Sequence, residues 1–146
     1  CERVAFQVAT NPGSSPGPLN KIASGGELAR FMLALKVVLA KSDQIPTIVF
    51  DEVDAGVGGA VAAAVGERLE ALAKEVQVLV VTHSPQVAAR GAHHWQVSKT
   101  DSKSNVLTTV DALRGSDRTE EIARMLAGES VTDEARAAAE SLMREH

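Results

Sequence analysis

Thr47-Ile48-Val49-Phe50-Asp51-Glu52 (TIVFDE) is the stretch whose reading decides the fold. Three β-branched residues and an aromatic follow Pro46, and the run ends in two adjacent carboxylates. So short an apolar run after a proline reads as a fully buried strand. Asp54 to Gly59 follows as a Gly-rich turn. Ala60 to Glu75 then carries Val61, Val65, Leu69 and Leu72 on one helical stripe. Val76 to Thr82 (VQVLVVT) is a second buried strand. Strand, helix, strand in that order implies a right-handed crossover and a parallel pair.

Working outward, Leu28 to Lys41 reads as a helix, with Leu28, Phe31, Met32, Leu35 and Leu39 at helical spacing. Before it, Arg3 to Thr10 (RVAFQVAT) alternates enough for a strand, and Asn11 to Leu19 (NPGSSPGPL) has loop composition. After the second buried strand the pattern changes. His94 to Lys99 and Asn105 to Leu113 form an expected antiparallel hairpin across the polar segment Thr100 to Ser104. Asp117 to Ala127 and Asp133 to Arg144 are expected helices, punctuated by Gly128 and the Ser130–Thr132 region. The predicted class is α/β: parallel core strands, flanking helices and a late antiparallel hairpin. The length, 146 residues, is that of one ordinary domain.

Composition agrees. The chain is 45% hydrophobic but only 3% aromatic, so its core must be built from Val, Leu, Ile and Ala. That suits parallel strands between Ala-rich helices. A formal net charge of −4 advertises no basic nucleic-acid surface, and leaves DNA contact to a larger molecule containing this piece. Cys1 is the only cysteine, which excludes an internal disulfide and a cysteine metal cluster and fits a reducing, cytoplasmic location. The apolar run Val76 to Thr82 is broken by Gln77 and far too short to span a bilayer. The sequence reads as carrying no signal peptide, and none is expected. The first residue is Cys1, not Met, directly before a strand-like segment. The expectation is a fragment of a longer protein, with processing as the alternative.

Three places could carry chemistry. Asp51 and Glu52 end an apolar strand, and in open α/β sheets ligands bind beyond the C-terminal strand ends. Asp51 could hold a Mg²⁺, directly or through water, and Glu52 could orient and deprotonate an attacking water. Strands also simply end in polar residues that enter turns. Ser24 to Arg30 (SGGELAR) offers a capping box, with Ser24 and Glu27 before an apolar helical run. Capping does not explain Gly25 and Gly26, which cost helix propensity. Glycines there let backbone N–H groups approach an anion at a helix N-terminus, a phosphate site. Capping and phosphate contact can coexist. His83 closes the second strand in Val80 to Ser84 (VVTHS), where an imidazole can donate to a phosphate or serve as a structural hydrogen-bonder. His93 and His94 are better explained as structural or exposed. Arg30 reads as a solvated helix residue; coupling to helix movement is the other reading.

In their order and spacing these signals resemble the ABC ATPase series: signature motif, Walker B strand, switch histidine. The likeness is strong from Leu19 to Pro85. Within that family, Glu27 stands where transporters carry Gln, and DEVD (Asp51, Glu52, Val53, Asp54) replaces their DE-Pro-Thr. Those wordings resemble the SMC and RecN group and disfavour a transporter-type ATPase. The strings PLNKIASGGELAR, FDEVDAGVGG and VTHSPQVAA, with FQVATNPGSSPG (Phe6 to Gly17) and GAHHWQVSK, resemble RecN over nearly the whole chain.

The resemblance implies residues 1–146 as the C-terminal half of an ABC/SMC-type ATPase head. It implies that Ser24, Gly25, Gly26 and Glu27 contact the γ-phosphate of ATP held by a partner head. Asp51 is then the magnesium-linked acid, Glu52 the catalytic base and His83 the switch histidine. ATP and Mg²⁺ are the implied cofactors. The implied partners are the N-terminal half of the same head, a second head in an ATP-dependent homodimer, and DNA through the full-length protein, with no membrane. The implied role is double-strand break repair and recombination in the cytoplasm, at the nucleoid. In most of the family the place four after Asp54 is an aspartate; here it is Gly58, as in RecN-like wording.

The sequence contains no G-x-x-x-x-G-K-[ST]. The nearest wording, Gly13 to Lys21 (GSSPGPLNK), has the wrong spacing and prolines where N–H donors are needed. In SMC and RecN-type proteins that P-loop lies in the N-terminal half, across a long coiled coil. The chain alone is therefore expected to be inactive. The competing reading is a non-catalytic interaction lobe that retains the sheet.

Overall fold

The computed structural model describes residues 5, 7–9, 13–18, 25–39, 46–102, 105–128 and 130–144. Contacts sort the chain into two compact units, Cys1–Thr82 and His83–His146.

The first unit opens with β1 (Gln7–Val8) and β2 (Gly17–Pro18), an antiparallel pair with Gln7 opposite Pro18. The sequence pattern gives a longer strand from Arg3 and an unbroken loop after it. Half of that expected strand lies outside the described residues, and the pairing at Gly17 is an addition. Next come α1 (Gly25–Leu39), β3 (Thr47–Asp51), α2 (Gly59–Ala73) and β4 (Gln77–Val81). β3 and β4 are parallel and in register from Thr47↔Gln77 to Asp51↔Val81, as the strand, helix, strand order predicts. The N–H of Gln77 donates to the Pro46 carbonyl (3.0 Å), and the Thr47 hydroxyl donates to Gln77 Oε1 (2.9 Å), so the pairing begins right at the proline.

Side chains alternate across this pair. Phe50 is buried, with Ile48, Val78 and Val80 partly covered on the same face. α2 buries Ala62, Val65, Gly66, Leu69 and Leu72, and packs against α1, whose Leu33 is buried. Two expectations need correction here. Val61 is 51% exposed, so the buried stripe of α2 runs through Ala62 instead. β3 is not fully buried: Val49 is 63% exposed, and its neighbours Leu79 and Val81 are exposed too. The apolar run reports what a two-sided parallel sheet requires. In this chain only one face is covered.

The second unit starts with α3 (Pro85–Ala88), a single turn that periodicity does not reveal. Its signal was Ser84 followed by Pro85 at the first helical position, where a missing N–H costs nothing. β5 (His94–Ser102) and β6 (Asn105–Leu113) form the expected antiparallel hairpin, paired from His94↔Leu113 to Ser102↔Asn105. α4 (Gly115–Ala127) and α5 (Asp133–Arg144) match the two expected terminal helices closely. Gly128 ends α4 at φ 82°, and the Thr132 hydroxyl accepts the Ala135 N–H at the start of α5 (3.3 Å). The core here is Ala89, Ile122, Ala123 and Ala139, flanked by Met125, Val131, Leu142 and Met143. Arg136 on α5 forks onto the Glu120 carboxylate of α4.

Beside that core, the Arg118 guanidinium donates to the Ala89 and Gly91 carbonyls (2.8 and 2.6 Å). Glu121 is buried and accepts from Gln96 Nε2 (2.7 Å) and twice from Arg124 (2.8 and 2.6 Å). The Arg124 bonds hold the Glu121 carboxyl below the usual carboxylate range. Burial, then the Arg118 charge, push the His94 imidazole below its ordinary value, against an opposing pull from Glu121. His93 is exposed, as expected. His94 is half-buried, and its Nδ1 has no hydrogen-bond partner among the described residues.

Candidate functional site

β3 delivers the two acids to its C-terminal end. Asp51 is the last strand residue and Glu52 the next, and both side chains are exposed. Glu52 sits at φ 53°, the one described non-glycine residue with positive φ. A Cβ makes that region costly by about 1–3 kcal/mol, so the surroundings must impose it. They do so through the backbone. The Glu52 N–H donates to the Val81 carbonyl (3.3 Å), which extends the β3–β4 ladder by one residue past Asp51. The Ala55 N–H then donates back to the Glu52 carbonyl (2.9 Å), which closes a tight turn.

The next two residues anchor the turn from below. Val53 is fully buried and Asp54 nearly so. The Asp54 carboxylate accepts a hydrogen bond from the Thr82 hydroxyl, which joins the loop after β3 to the residue after β4. A buried carboxylate needs such partners, because an unpaired one would be strongly disfavoured. Gly56 (φ 72°) and Gly59 (φ 53°) supply the left-handed conformations that release the chain into α2. The Gly-rich wording after DEVD thus has a direct conformational cause.

Arg30 lies in α1 and is half-buried, not solvated. Its Nη1 donates to the Ala55 carbonyl (3.2 Å). The stem lines an apolar groove of about 390 Å³ between α1 and α2, with Leu33, Ala34, Val37, Val61 and Val65. The expectation of a free surface arginine is corrected for this reason: its aliphatic part covers apolar surface while its head reaches a carbonyl. Asp54 and Arg30 are the residues sequence reasoning undervalued. A signal existed for the first, an acid before a glycine turn that faces a Thr after the neighbouring strand. The second has none without the fold.

Of the remaining candidates, Ser24 lies outside the described residues. Gly25, Gly26 and Glu27 form the first turn of α1. His83 opens the second unit and is exposed. Among the described residues no group of three His, Cys, Asp or Glu comes together to hold a metal ion. One exposed carboxylate at a strand end does fit magnesium bound with a nucleotide. Mg²⁺ usually takes one or two carboxylates together with phosphates and water. No described helix is long and apolar enough to cross a membrane.

No protein-family model matches the chain. Individual relatives do. The DNA repair protein RecN of Xylella fastidiosa is 52% identical over 144 residues, which is 99% of this chain. The chain belongs to the RecN family. RecN of Streptomyces coelicolor is 49% identical over 97% of the chain, and RecN of Deinococcus radiodurans 52% identical over 86%. This RecN-family chain spans about a quarter of those relatives' length, 26% for the Xylella protein. A solved structure from work on ATP-driven dimerization and DNA-stimulated activation of SMC ATPases aligns with a TM-score of 0.59. It covers 86% of this chain and 83% of the other at 22% identity. At that identity the likeness shows the fold alone, an α/β arrangement shared with that structure.

Proposed function

We propose that this RecN-family segment is one half of a composite ATP-hydrolysing head, in a protein that acts in DNA double-strand break repair and recombination. The observation that carries the reading is Glu52 at φ 53°, exposed, on a turn whose next two residues are buried. Backbone strain of this kind clusters at functional sites. A carboxylate on so fixed a backbone is suited to one demanding task, accepting a proton from a water as it attacks.

The roles are those the family resemblance implies, and residue chemistry is consistent with each. Glu52 orients the water and takes its proton. Asp51 offers a hard oxygen ligand to magnesium, which when bound neutralises charge on the phosphates. His83 donates a hydrogen bond to a phosphate. Gly25, Gly26 and Glu27 at the start of α1, with Ser24 just before them in the sequence, offer N–H donors and a hydroxyl to the γ-phosphate of ATP held by a second head. That the ATP is held by a second head is what the family resemblance implies for this motif. The exposed apolar face of Val49, Leu79 and Val81 supports a covering partner, which we assign to the N-terminal half of the same head. DNA contact and location at the nucleoid belong to the full-length protein. The name of the relatives, a DNA repair protein, supports the cellular role.

Mixing full-length subunits tests the arrangement. One subunit carries Ser24→Ala, the other a substituted P-loop lysine. The mixture should recover ATPase activity above either mutant, because one of its two composite sites is intact. Mixtures that never exceed the sum of the parts would refute pairing in trans. The isolated chain, which lacks the P-loop's N–H groups and lysine, should show no turnover in the same assay. Turnover abolished by Glu52→Gln in the isolated chain would overturn the composite site.

A further inference from the structure

The turn that carries Glu52 is gripped from two sides. Thr82 holds it through the buried Asp54, and Arg30 reaches it from α1. The second grip meets Glu52 through a single residue. The Ala55 carbonyl accepts from Arg30 (3.2 Å), while the Ala55 N–H donates to the Glu52 carbonyl (2.9 Å). From these bonds we infer that Arg30 is a positioning residue for Glu52, fastening its turn to the helix that begins with Gly25 and Gly26. The inference rests on the reading of Glu52 as the base.

Three features make Arg30 fit this task. Its guanidinium bond to a carbonyl is charge-assisted, stronger than a neutral one. Arg30 lines the groove together with Leu33, Ala34 and Val65, where an aliphatic stem can pack while the head reaches a carbonyl. The acceptor lies three residues from Glu52, inside the turn that imposes φ 53°. A shift of α1 along its axis therefore pulls on Ala55 and, through the Ala55 N–H, on the Glu52 backbone. The device places the phosphate-facing helix start and the base under one mechanical link.

The experiment uses a full-length RecN-family protein that carries this segment. Arg30→Met keeps an apolar stem in the groove and removes the donor. It should lower kcat for ATP hydrolysis by about 10-fold, the scale of one lost hydrogen bond from a charged group. KM for ATP and the thermal midpoint should change little, which a purely structural role would not allow. Arg30→Lys keeps a donor and should restore most of kcat. Normal kcat in Arg30→Met, or Arg30→Lys as slow as Arg30→Met, overturns the proposal. Should Arg30→Met not fold, Arg30→Gln, too short to reach Ala55, takes its place with the same expected loss. Glu52→Gln is assayed alongside. If it is slow and Arg30→Met is normal, only the positioning role fails; if Glu52→Gln is itself normal, the base assignment fails and the positioning role falls with it.

Discussion

In the full-length protein, Glu52→Gln should leave ATP binding nearly intact and slow hydrolysis by about 100-fold or more, the usual scale for a lost general base. Asp51 and Glu52 are neighbours at one strand end, yet the roles proposed for them fall at different steps. A magnesium ligand is needed for the nucleotide to bind productively. A proton acceptor is needed only when water attacks. Glutamine preserves size and hydrogen-bonding capacity and removes only the acceptor. It also inherits the same backbone, since Glu52 is held at φ 53° by the Val81 and Ala55 bonds and not by its own carboxylate. The fold should therefore survive. ATP-bound heads, unable to discharge their nucleotide, should stay paired, and size-exclusion chromatography with ATP would show the larger species. Asp51→Asn should instead weaken Mg-ATP binding and reduce pairing. Normal hydrolysis by Glu52→Gln would remove the acid pair from the catalytic site and favour a non-catalytic lobe.

How much of this was legible beforehand depends on how local each feature is. The parallel pair was legible because two short apolar runs flank a helical stripe, and only one topology satisfies that order. The terminal helices were legible because Gly128 and the Ser130–Thr132 region mark their ends chemically. Burial was not legible. TIVF reads as covered on both faces, yet Val49 stands exposed, because an apolar pattern does not say whether each face has something packed on it. The four-residue α3 was missed because one turn has no period. At the site, the motifs gave the residue types, while the φ of Glu52 and the Arg30 to Ala55 bond are tertiary. Nothing in SGGELAR distinguishes an arginine in solvent from one seated in a groove. The Asp54 to Thr82 link joins residues 28 apart, and only the β3–β4 register brings them together.

The second unit offers a test in which magnitudes separate two kinds of contact. Ile122 is fully buried among Ala89, Ala123 and Ala139, with Met125, Leu142 and Met143 around it. Its small neighbours cannot expand to fill a void, so Ile122→Ala loses transfer free energy and leaves a cavity. The expected cost is about 2–5 kcal/mol, against about 0.5–1.5 for Ile122→Val. Arg136 makes a two-pronged bridge to Glu120 and a third bond to Asp133, which looks more substantial on paper. Its partners lie in solvent, where water competes for every bond and salt screens the charges. Urea denaturation should therefore show a large fall in midpoint for Ile122→Ala and a small one for Arg136→Ala, with the first insensitive to salt. Unchanged m-values would confirm that the native state and not the unfolded chain was altered. If Arg136→Ala proved the more damaging, surface charge and not the alanine-lined core would be what joins α4 to α5.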